Sequence, residues 1–281
     1  MFLLISYVFL SMGASLVTYF SYSMQEDWTL FYVPIVLSIA FFLSLLLLHA
    51  LYCSLFSLFI KEGHKYKPNK YAMWIISETA YLICLFLRIK VVSNGLEKLP
   101  RDTSFMLATN HLSGLDHICL MSLLAKVPMV CVSKLANANI PVAGKWLTYA
   151  GYLTIIQGDL IDGKKVMGEA SSLLESSTTS ICIAPEGTRN KNYPNPILLP
   201  FHPGSFSMAK EAKKPIVIAS IQNTQSVFKR FPFHKTKVYI DVLEVLFYND
   251  YKDMSLNEIS TCSRNLIIEH LKTKEARQYH Q

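Results

Sequence analysis

Residues 1–60 of this 281-residue chain contain no lysine or arginine and only two acidic residues, Glu26 and Asp27. All 27 Lys and Arg residues, and the rest of the 20 acidic residues, therefore lie after residue 60. Only 17% of the residues are charged, against about 25% in ordinary soluble domains, and 51% are hydrophobic. This scarcity of charge excludes a disordered chain and argues against a freely soluble one. The sequence joins an apolar N-terminal segment to a basic segment of mixed composition.

Paired cysteine motifs are also absent. No two of the six cysteines stand in a C-x-x-C arrangement, and several lie inside apolar runs. This pattern argues against a disulfide framework and against a zinc site. It predicts buried free thiols in a reducing compartment, at Cys53, Cys84, Cys119, Cys131, Cys182 and Cys262.

Two long apolar runs, residues 1–25 and 28–60, lack Asp, Glu, Lys and Arg. A helix needs about 20 apolar residues to cross the hydrocarbon core of a bilayer, so each run is long enough to span it. We expect residues 1–60 to form N-terminal membrane helices. A cleaved signal peptide is the alternative for the first run, although it lacks a positively charged start. A hairpin that enters a single leaflet is the alternative for both.

The segment KEGHKYKPNK after the second run carries Lys61, Lys65, Lys67 and Lys70. The positive-inside rule then predicts that this segment and everything after it lie on the cytoplasmic side of the cell membrane. Residues 71–89 are apolar again but shorter and include Glu78. We expect a helix there that lies in the membrane interface or packs on the following domain. If it instead crosses the bilayer, the predicted topology reverses.

From about residue 90, short β-rich runs alternate with helical patterns, which is typical of an α/β layer fold. The strands are predicted at 104–109, 128–132, 152–157, 180–184, 215–221 and 236–246. The helices are predicted at 115–126, 142–150, 163–176, 204–214 and 255–273. Ligands of such folds bind where strands run into helices, at the carboxyl ends of the strands. Two polar motifs fall at such turns.

The first motif, ATNHLSGLDH, contains Asn110, His111 and Asp116. On a regular helix, residues five apart point about 140° away from each other, so His111 and Asp116 meet only if the chain turns at Ser113-Gly114. A histidine held by a carboxylate is suited to take a proton from a hydroxyl group. The alternative is that Asp116 caps the next helix and His111 is an ordinary loop histidine; His117 has no comparable partner by spacing.

The second motif follows the predicted strand SICIA and reads Glu186, Gly187, Thr188 and Arg189. A guanidinium beside exposed backbone N–H groups suits a phosphate monoester. The alternative is a plain turn with a local Glu186–Arg189 ion pair, which is worth less than about 1 kcal/mol when exposed.

Together, in this order and behind an apolar N-terminus, the motifs N-H-x-x-x-x-D and E-G-T-R resemble those of the glycerolipid acyltransferases. The similarity is specifically to the 1-acylglycerol-3-phosphate acyltransferases. NGLEKLP at 94–100, VSK at 132–134 and FHPGSFSMAKEAKKPIVIAS at 201–220 resemble further blocks of that family. The resemblance covers roughly residues 90–222. It implies an α/β fold with a mixed sheet flanked by helices, within a catalytic domain at 91–281. Residues 61–90 would then be a basic linker with an interfacial helix, and residues 1–60 the membrane-anchoring helices.

Three positions depart from the family pattern. Gln157 and Gly158 stand where a basic residue usually ends the second block, and Ala136 replaces an acidic residue after Lys134. Ala219 and Ser220 follow PIVI where the family usually has proline. The resemblance implies that these positions shape the acyl-acceptor side, so the departures concern the acceptor and not the chemistry.

The resemblance implies transfer of a fatty acyl group from an acyl thioester to the free hydroxyl of 1-acylglycerol 3-phosphate. His111 would be the general base, oriented by Asp116, and Arg189 would hold the acceptor phosphate with help from Lys134. Glu186, Gly187 and Thr188 would shape that pocket, with Glu186 orienting Arg189. Backbone N–H groups near the first motif are candidate oxyanion donors. No metal or bound cofactor is implied; acyl-CoA or acyl-carrier-protein is the co-substrate.

Three other readings stay open. One is an acyltransferase of the same superfamily that uses glycerol 3-phosphate or another lysophospholipid. The second is a non-catalytic, membrane-anchored lipid-binding protein, and the third is a thioester hydrolase in which His111 activates water. A nucleic-acid partner is not expected, because the apolar N-terminal runs argue against one.

Overall fold

The computed structural model describes residues 2–23 and 32–278. The acidic residues Glu26 and Asp27, which separate the two apolar runs, lie outside the described residues. The chain falls into two compact units, Met1–Gly63 and His64–Gln281. The boundary between the two units, after Gly63, lies close to the predicted end of the membrane-anchoring segment at residue 60. The division at residue 90, between the linker and the catalytic domain, stays a prediction.

The first unit consists of two helices, α1 (Phe2–Ser23) and α2 (Tyr32–Ser57), which pack against each other. The Ser38 hydroxyl donates a hydrogen bond to the Ser11 carbonyl at 2.9 Å. Within the described residues, one helical stretch, Ile35–Ser57, is long and apolar enough to cross a membrane. The apolar stretch Ile5–Ser21 is shorter. The composition and length of α2 support the predicted membrane anchoring.

The second unit is built on a seven-stranded sheet with the order β1-β7-β6-β2-β5-β3-β4. Every neighbouring pair in this sheet is parallel except β6 and β7, which are antiparallel. The predicted mixed sheet is therefore confirmed. The strands are β1 (Ile89–Asn94), β2 (Met106–Thr109), β3 (Met129–Lys134), β4 (Leu153–Ile155), β5 (Ser180–Ile183), β6 (Ile216–Gln222) and β7 (Thr236–Leu246).

Helices cover this sheet in two groups. One group contains α3, α4 and α6, which contact one another through α3, and the other contains α7 and α8, with α11 packed on β6 and β7. Every residue of β2, β5 and β6 is buried, so both faces of the centre of the sheet are covered. The helices are α3 (Lys70–Phe86), α4 (Leu115–Leu123), α5 (Leu135–Ala138), α6 (Ala143–Tyr149), α7 (Leu160–Glu175), α8 (Ser207–Ala212), α9 (Val227–Arg230), α10 (Tyr248–Tyr251) and α11 (Leu256–Gln278).

The helix predicted over 71–89 is α3, and it ends earlier than expected. The Asn69 side chain begins α3 by accepting hydrogen bonds from the N–H groups of Tyr71 and Ala72. Arg88, with a φ of 56°, turns the chain out of the helix, and β1 begins at the next residue. The edge strand β1 therefore begins where the apolar run ends, and the sequence pattern did not reveal it. Because α3 packs on α4 and α6, it belongs to the second unit.

The cysteines are free thiols, as predicted. Cys53, Cys84, Cys119, Cys131 and Cys182 are buried, and Cys262 is partly exposed. Cys131 and Cys182 are direct partners in the register of β3 and β5.

Two glycines with nearly the same backbone conformation provide a matched test of packing. Gly151 has a φ of 86° and Gly158 a φ of 88°. A Cβ on Gly151 would lie 2.8 Å from the backbone N and Cα of Pro68, whereas one on Gly158 would meet open space among the described residues. We expect Gly158→Ala to cost about 1–2 kcal/mol from backbone strain alone. Gly151→Ala should cost about 1–3 kcal/mol more, because backbone atoms must move.

Thermal unfolding of the two purified variants in detergent measures this difference. Equal melting temperatures for Gly151→Ala and Gly158→Ala would show that the segment around Pro68 does not pack against residue 151.

Candidate active site

Three polar segments converge on one edge of the sheet. β2, β3, β4, β5 and β6 are mutually parallel, so their carboxyl ends lie along the same edge. The first motif follows β2 directly, the second follows β5, and Lys134 is the last residue of β3. We call this the active-site edge. Because β2 and β5 are neighbours, two motifs about 70 residues apart in sequence lie next to each other.

His111 and Asp116 form the contact that the sequence predicted. The Nδ1 atom of His111 lies 2.7 Å from Oδ2 of Asp116. The chain turns between the two residues at Ser113-Gly114, and α4 begins only at Leu115. An ionised carboxylate only accepts hydrogen bonds, so the proton of the neutral imidazole lies on Nδ1. This tautomer leaves Nε2 as the proton acceptor, and 27% of the His111 side chain is exposed.

Groups other than His111 also donate hydrogen bonds to the Asp116 carboxylate. Its Oδ2 atom also accepts hydrogen bonds from the backbone N–H groups of Leu112 at 2.7 Å and Ser113 at 2.9 Å. Its Oδ1 atom accepts one from the hydroxyl of Thr224, which lies after β6. The side chain is only 5% exposed, and these donors replace the water that a buried carboxylate loses. Asp116 thus joins the loop after β2 to the loop after β6.

Glu186 does not orient Arg189, contrary to the sequence-based expectation. Its Oε1 atom accepts a hydrogen bond from the backbone N–H of His111 at 2.7 Å, and its Oε2 atom accepts one from the N–H of Leu199 at 2.9 Å. Glu186 is buried, which raises the pKa of its carboxyl group, while the two N–H donors act in the opposite direction. The second motif therefore positions the backbone of the first.

These contacts also occupy three of the backbone N–H groups near the first motif that were candidate oxyanion donors. The N–H groups of Leu112 and Ser113 are bound to Asp116, and that of His111 is bound to Glu186. Since each N–H has one proton to donate, none of the three is available to a tetrahedral intermediate in this arrangement.

Two asparagines fix the path of the chain on either side of His111. The Asn110 side chain donates to the Ile221 carbonyl at 2.9 Å and accepts from the Ile221 N–H at 2.7 Å, which ties the end of β2 to β6. The N–H of Asn190 donates to the His111 carbonyl at 2.8 Å. Asn190 is buried, and its side chain donates to the Pro196 carbonyl. Sequence reasoning assigned no contacts to either asparagine.

The remaining residues of the second motif lie nearer the surface. Gly187 has a φ of 64°, and a Cβ there would lie 3.1 Å from the ring of His202. Thr188 is half-buried and Arg189 is exposed. No carboxylate in the described part of the chain pairs with the Arg189 guanidinium. Arg189 is therefore free to bind an anion at the same edge as His111.

Lys134 and the positions that depart from the family pattern occupy different places. Lys134 is half-buried at the end of β3, on the active-site edge. The side-chain amide of Gln157 donates to the Gly187 carbonyl at 3.3 Å, so this departure touches the second motif. Ala219 and Ser220 lie buried within β6 and belong to the core.

His117 forms a separate cluster behind the His111–Asp116 pair. Its Nε2 atom lies 2.9 Å from the Tyr152 hydroxyl and its Nδ1 atom lies 3.2 Å from Sγ of Cys131. Burial lowers the pKa of His117 to about 4, and the nearby His111 adds to this effect. No sequence pattern indicated this cluster, because its three members are far apart in the chain.

The fold and the site together define an α/β protein in which a carboxylate-held histidine and an exposed arginine share one sheet edge. Residues 90–222 match the family described as Acyltransferase. These residues therefore form an acyltransferase-family domain, as the resemblance of the two motifs indicated.

Named relatives agree with this assignment. A 1-acyl-sn-glycerol-3-phosphate acyltransferase of Borreliella burgdorferi is 26% identical over 206 residues, which cover 71% of this chain and 79% of the relative. The 1-acyl-sn-glycerol-3-phosphate acyltransferase alpha of Homo sapiens is 31% identical over 145 residues, or 50% of this chain and 48% of the human protein. The chain thus spans about half the length of the human relative.

A solved structure shares the fold. The crystal structure of the 1-acyl-sn-glycerophosphate (LPA) acyltransferase PlsC from Thermotoga maritima superposes with a TM-score of 0.59 at 22% identity. The match covers 74% of this chain and 81% of that one. At this identity the likeness establishes the fold.

The His117 cluster predicts a pH dependence of stability. In the unfolded chain His117 takes up a proton near pH 6.5, whereas in the folded chain it does so only near pH 4. The unfolded state therefore binds more protons between these values, and stability falls as the pH falls through this window. We expect the difference in stability between the native protein and His117→Gln to be flat above pH 6.5 and to shrink steadily below it.

Chemical denaturation of both proteins at several pH values measures that difference, and carboxylates that titrate in both proteins cancel from it. A difference that does not change with pH would mean that His117 is not buried as a neutral group.

Proposed function

We propose that the protein transfers a fatty acyl group from an acyl thioester to the free hydroxyl of 1-acylglycerol 3-phosphate, which gives phosphatidic acid. The observation that carries this proposal is the His111–Asp116 pair, with Nε2 of His111 facing outward at the edge where Arg189 is exposed. The names of the relatives support the same reaction class and the same acceptor.

His111 acts as the general base. Its Nε2 atom takes the proton from the acceptor hydroxyl as the oxygen attacks the thioester carbonyl. The tetrahedral intermediate then collapses, the carbon–sulfur bond breaks, and the thiolate leaves with the proton that His111 gives back. Asp116 holds the tautomer and stabilises the imidazolium that forms between these steps. This reaction uses no bound metal or cofactor, because an imidazole base and a thioester donor supply its chemistry; acyl-CoA or acyl-carrier-protein is the donor.

Arg189 and Lys134 bind the acceptor phosphate. Arg189 is the exposed cation nearest in sequence to the buried Glu186. Its planar guanidinium suits two phosphate oxygens at once. Lys134 adds a second positive charge from the end of β3 on the same edge. Gly187 and Thr188 shape the pocket wall between Arg189 and the buried Glu186.

The lipid acceptor places the reaction at a membrane. Anchoring by residues 1–60 would hold the second unit at the bilayer where lysophosphatidate resides. The lysines at 61, 65, 67 and 70 follow the apolar segment, so the second unit is proposed to face the cytoplasm of the cell.

Replacing the proposed base tests the mechanism. We expect His111→Ala to lower kcat by roughly 10²–10⁴-fold, since that is the usual contribution of a positioned general base. The assay is acyl transfer to lysophosphatidate by purified protein with either thioester donor. His64→Ala, which removes an exposed histidine far from the site in sequence, is the matched control and should keep full activity. Unchanged turnover by a folded His111→Ala protein would reject His111 as the base.

Replacing the proposed phosphate ligand tests substrate binding. We expect Arg189→Ala to raise KM for the phosphorylated acceptor by roughly 10-fold or more, with a smaller effect on KM for the thioester. Lys191→Ala, a nearby exposed cation, is the control and should leave both KM values close to native.

The same assay separates the neighbouring reactions. Faster transfer to glycerol 3-phosphate or to a lysophospholipid without a phosphate monoester would reject the proposed acceptor. Fatty acid released at the same rate without any acceptor would identify a thioester hydrolase, and no turnover would leave a lipid-binding protein.

A further inference from the structure

An exposed aromatic and basic surface lies beside the site. It is formed by residues 227–235, which lie between β6 and β7, together with Phe86 at the end of α3. We call residues 227–235 the aromatic-basic loop. The side chains of Phe228, Phe233 and Phe86 are 65%, 80% and 72% exposed. This exposure is costly for a loop in water, because each ring leaves a large apolar area unburied.

The loop is held in place by contacts at its base. The rings of Phe86 and Phe231 pack with centroids 5.6 Å apart, and the Arg88 guanidinium donates to the Pro232 carbonyl at 3.0 Å. The N–H of His234 donates to the Arg230 carbonyl at 2.9 Å. The exposed phenylalanines therefore project from an ordered base.

The charge of the loop has one sign. Lys229, Arg230 and Lys235 are all exposed and alternate with the phenylalanines. The sequence from 212 to 240 contains no acidic residue at all. Aromatic rings interleaved with Lys and Arg are the side chains that enter the interface of an anionic bilayer.

The loop lies on the active-site edge. It connects the carboxyl end of β6 to the start of β7, and Thr224, just before it, binds Asp116. On the other side of the same edge, the first turn of α7 exposes Leu160 and Ile161 almost completely. Apolar side chains thus flank the His111–Asp116 pair on both sides. Phe247 follows the carboxyl end of β7, which is antiparallel to β6, and so lies at the opposite edge.

We infer that the aromatic-basic loop is a membrane-contact surface that inserts its phenylalanine rings into a bilayer containing anionic phospholipid. The exposure of the rings suits a lipid interface, and the cations match anionic headgroups. This contact is separate from the apolar N-terminal helices and does not depend on the proposed acyl transfer. It would turn the active-site edge toward the lipid surface.

The test uses the full chain in vesicles of brominated phosphatidylcholine, with or without phosphatidylglycerol. An indole introduced by Phe233→Trp reports proximity to the acyl chains, because bromine quenches its fluorescence. The signal of the three native tryptophans is subtracted with the native protein. We expect about half or more of the added emission to be quenched in anionic vesicles, since interfacial side chains reach roughly 5–10 Å into the headgroup boundary.

Phe247→Trp is the matched control. It replaces another exposed phenylalanine, 55% accessible, at the opposite edge of the same sheet, and its emission should change little. Combining Phe233→Trp with Lys229→Gln, Arg230→Gln and Lys235→Gln should reduce the quenching in anionic vesicles toward its value without phosphatidylglycerol.

Three results would overturn the inference. The first is equal quenching at positions 233 and 247, and the second is quenching at 233 that responds neither to phosphatidylglycerol nor to the glutamine substitutions. The third is emission at 233 that shifts with protein concentration in lipid-free micelles, which would show that the surface pairs with a second copy of the chain.

Discussion

The site depends on one buried carboxylate. Asp116 accepts hydrogen bonds from the His111 imidazole, from two backbone N–H groups of the loop after β2 and from the Thr224 hydroxyl after β6. A carboxylate removed from water is stable only if such donors surround it, so the loop must keep this one conformation while Asp116 remains ionised. The same bonds that compensate the burial of the charge also direct Nε2 of His111 outward. The hydrogen bonds that stabilise this buried carboxylate are therefore also the ones that orient His111.

The second carboxylate makes the two sequence motifs one structural unit. Glu186 leaves its own turn and binds the backbone N–H groups of His111 and Leu199. The parallel pairing of β2 with β5 makes this reach possible, since it aligns the ends of the two strands. A change at Glu186 would thus displace His111, the proposed base, through its backbone. Within the second motif, the buried Glu186 positions His111, whereas the exposed Arg189 is left free to bind an anion.

The sequence predicted this site only in part, and the reason lies in the kinds of contact involved. The central strands β2, β5 and β6 were found because buried parallel strands are rich in apolar residues. β1 was missed because it begins at the end of the apolar run that forms α3, and only the backbone turn at Arg88 separates them. The His111–Asp116 contact was predictable because Ser113-Gly114 allows a turn. The partners of Glu186 were not, because backbone N–H groups carry no side-chain pattern, and the nearby Arg189 offered a more obvious but incorrect partner.

The parallel strands also limit where a lipid can enter. The loops that carry His111, Glu186 and Arg189 emerge at the edge where β3 ends at Lys134, because β2, β3 and β5 point the same way. An acceptor with a phosphate headgroup and an acyl chain needs a cation and an apolar surface within one molecular length of the base. Arg189, the proposed phosphate ligand, lies on the same edge as the exposed rings after β6 and the exposed side chains at the start of α7. An apolar surface at the opposite edge would be separated from both Arg189 and His111 by the whole length of the strands.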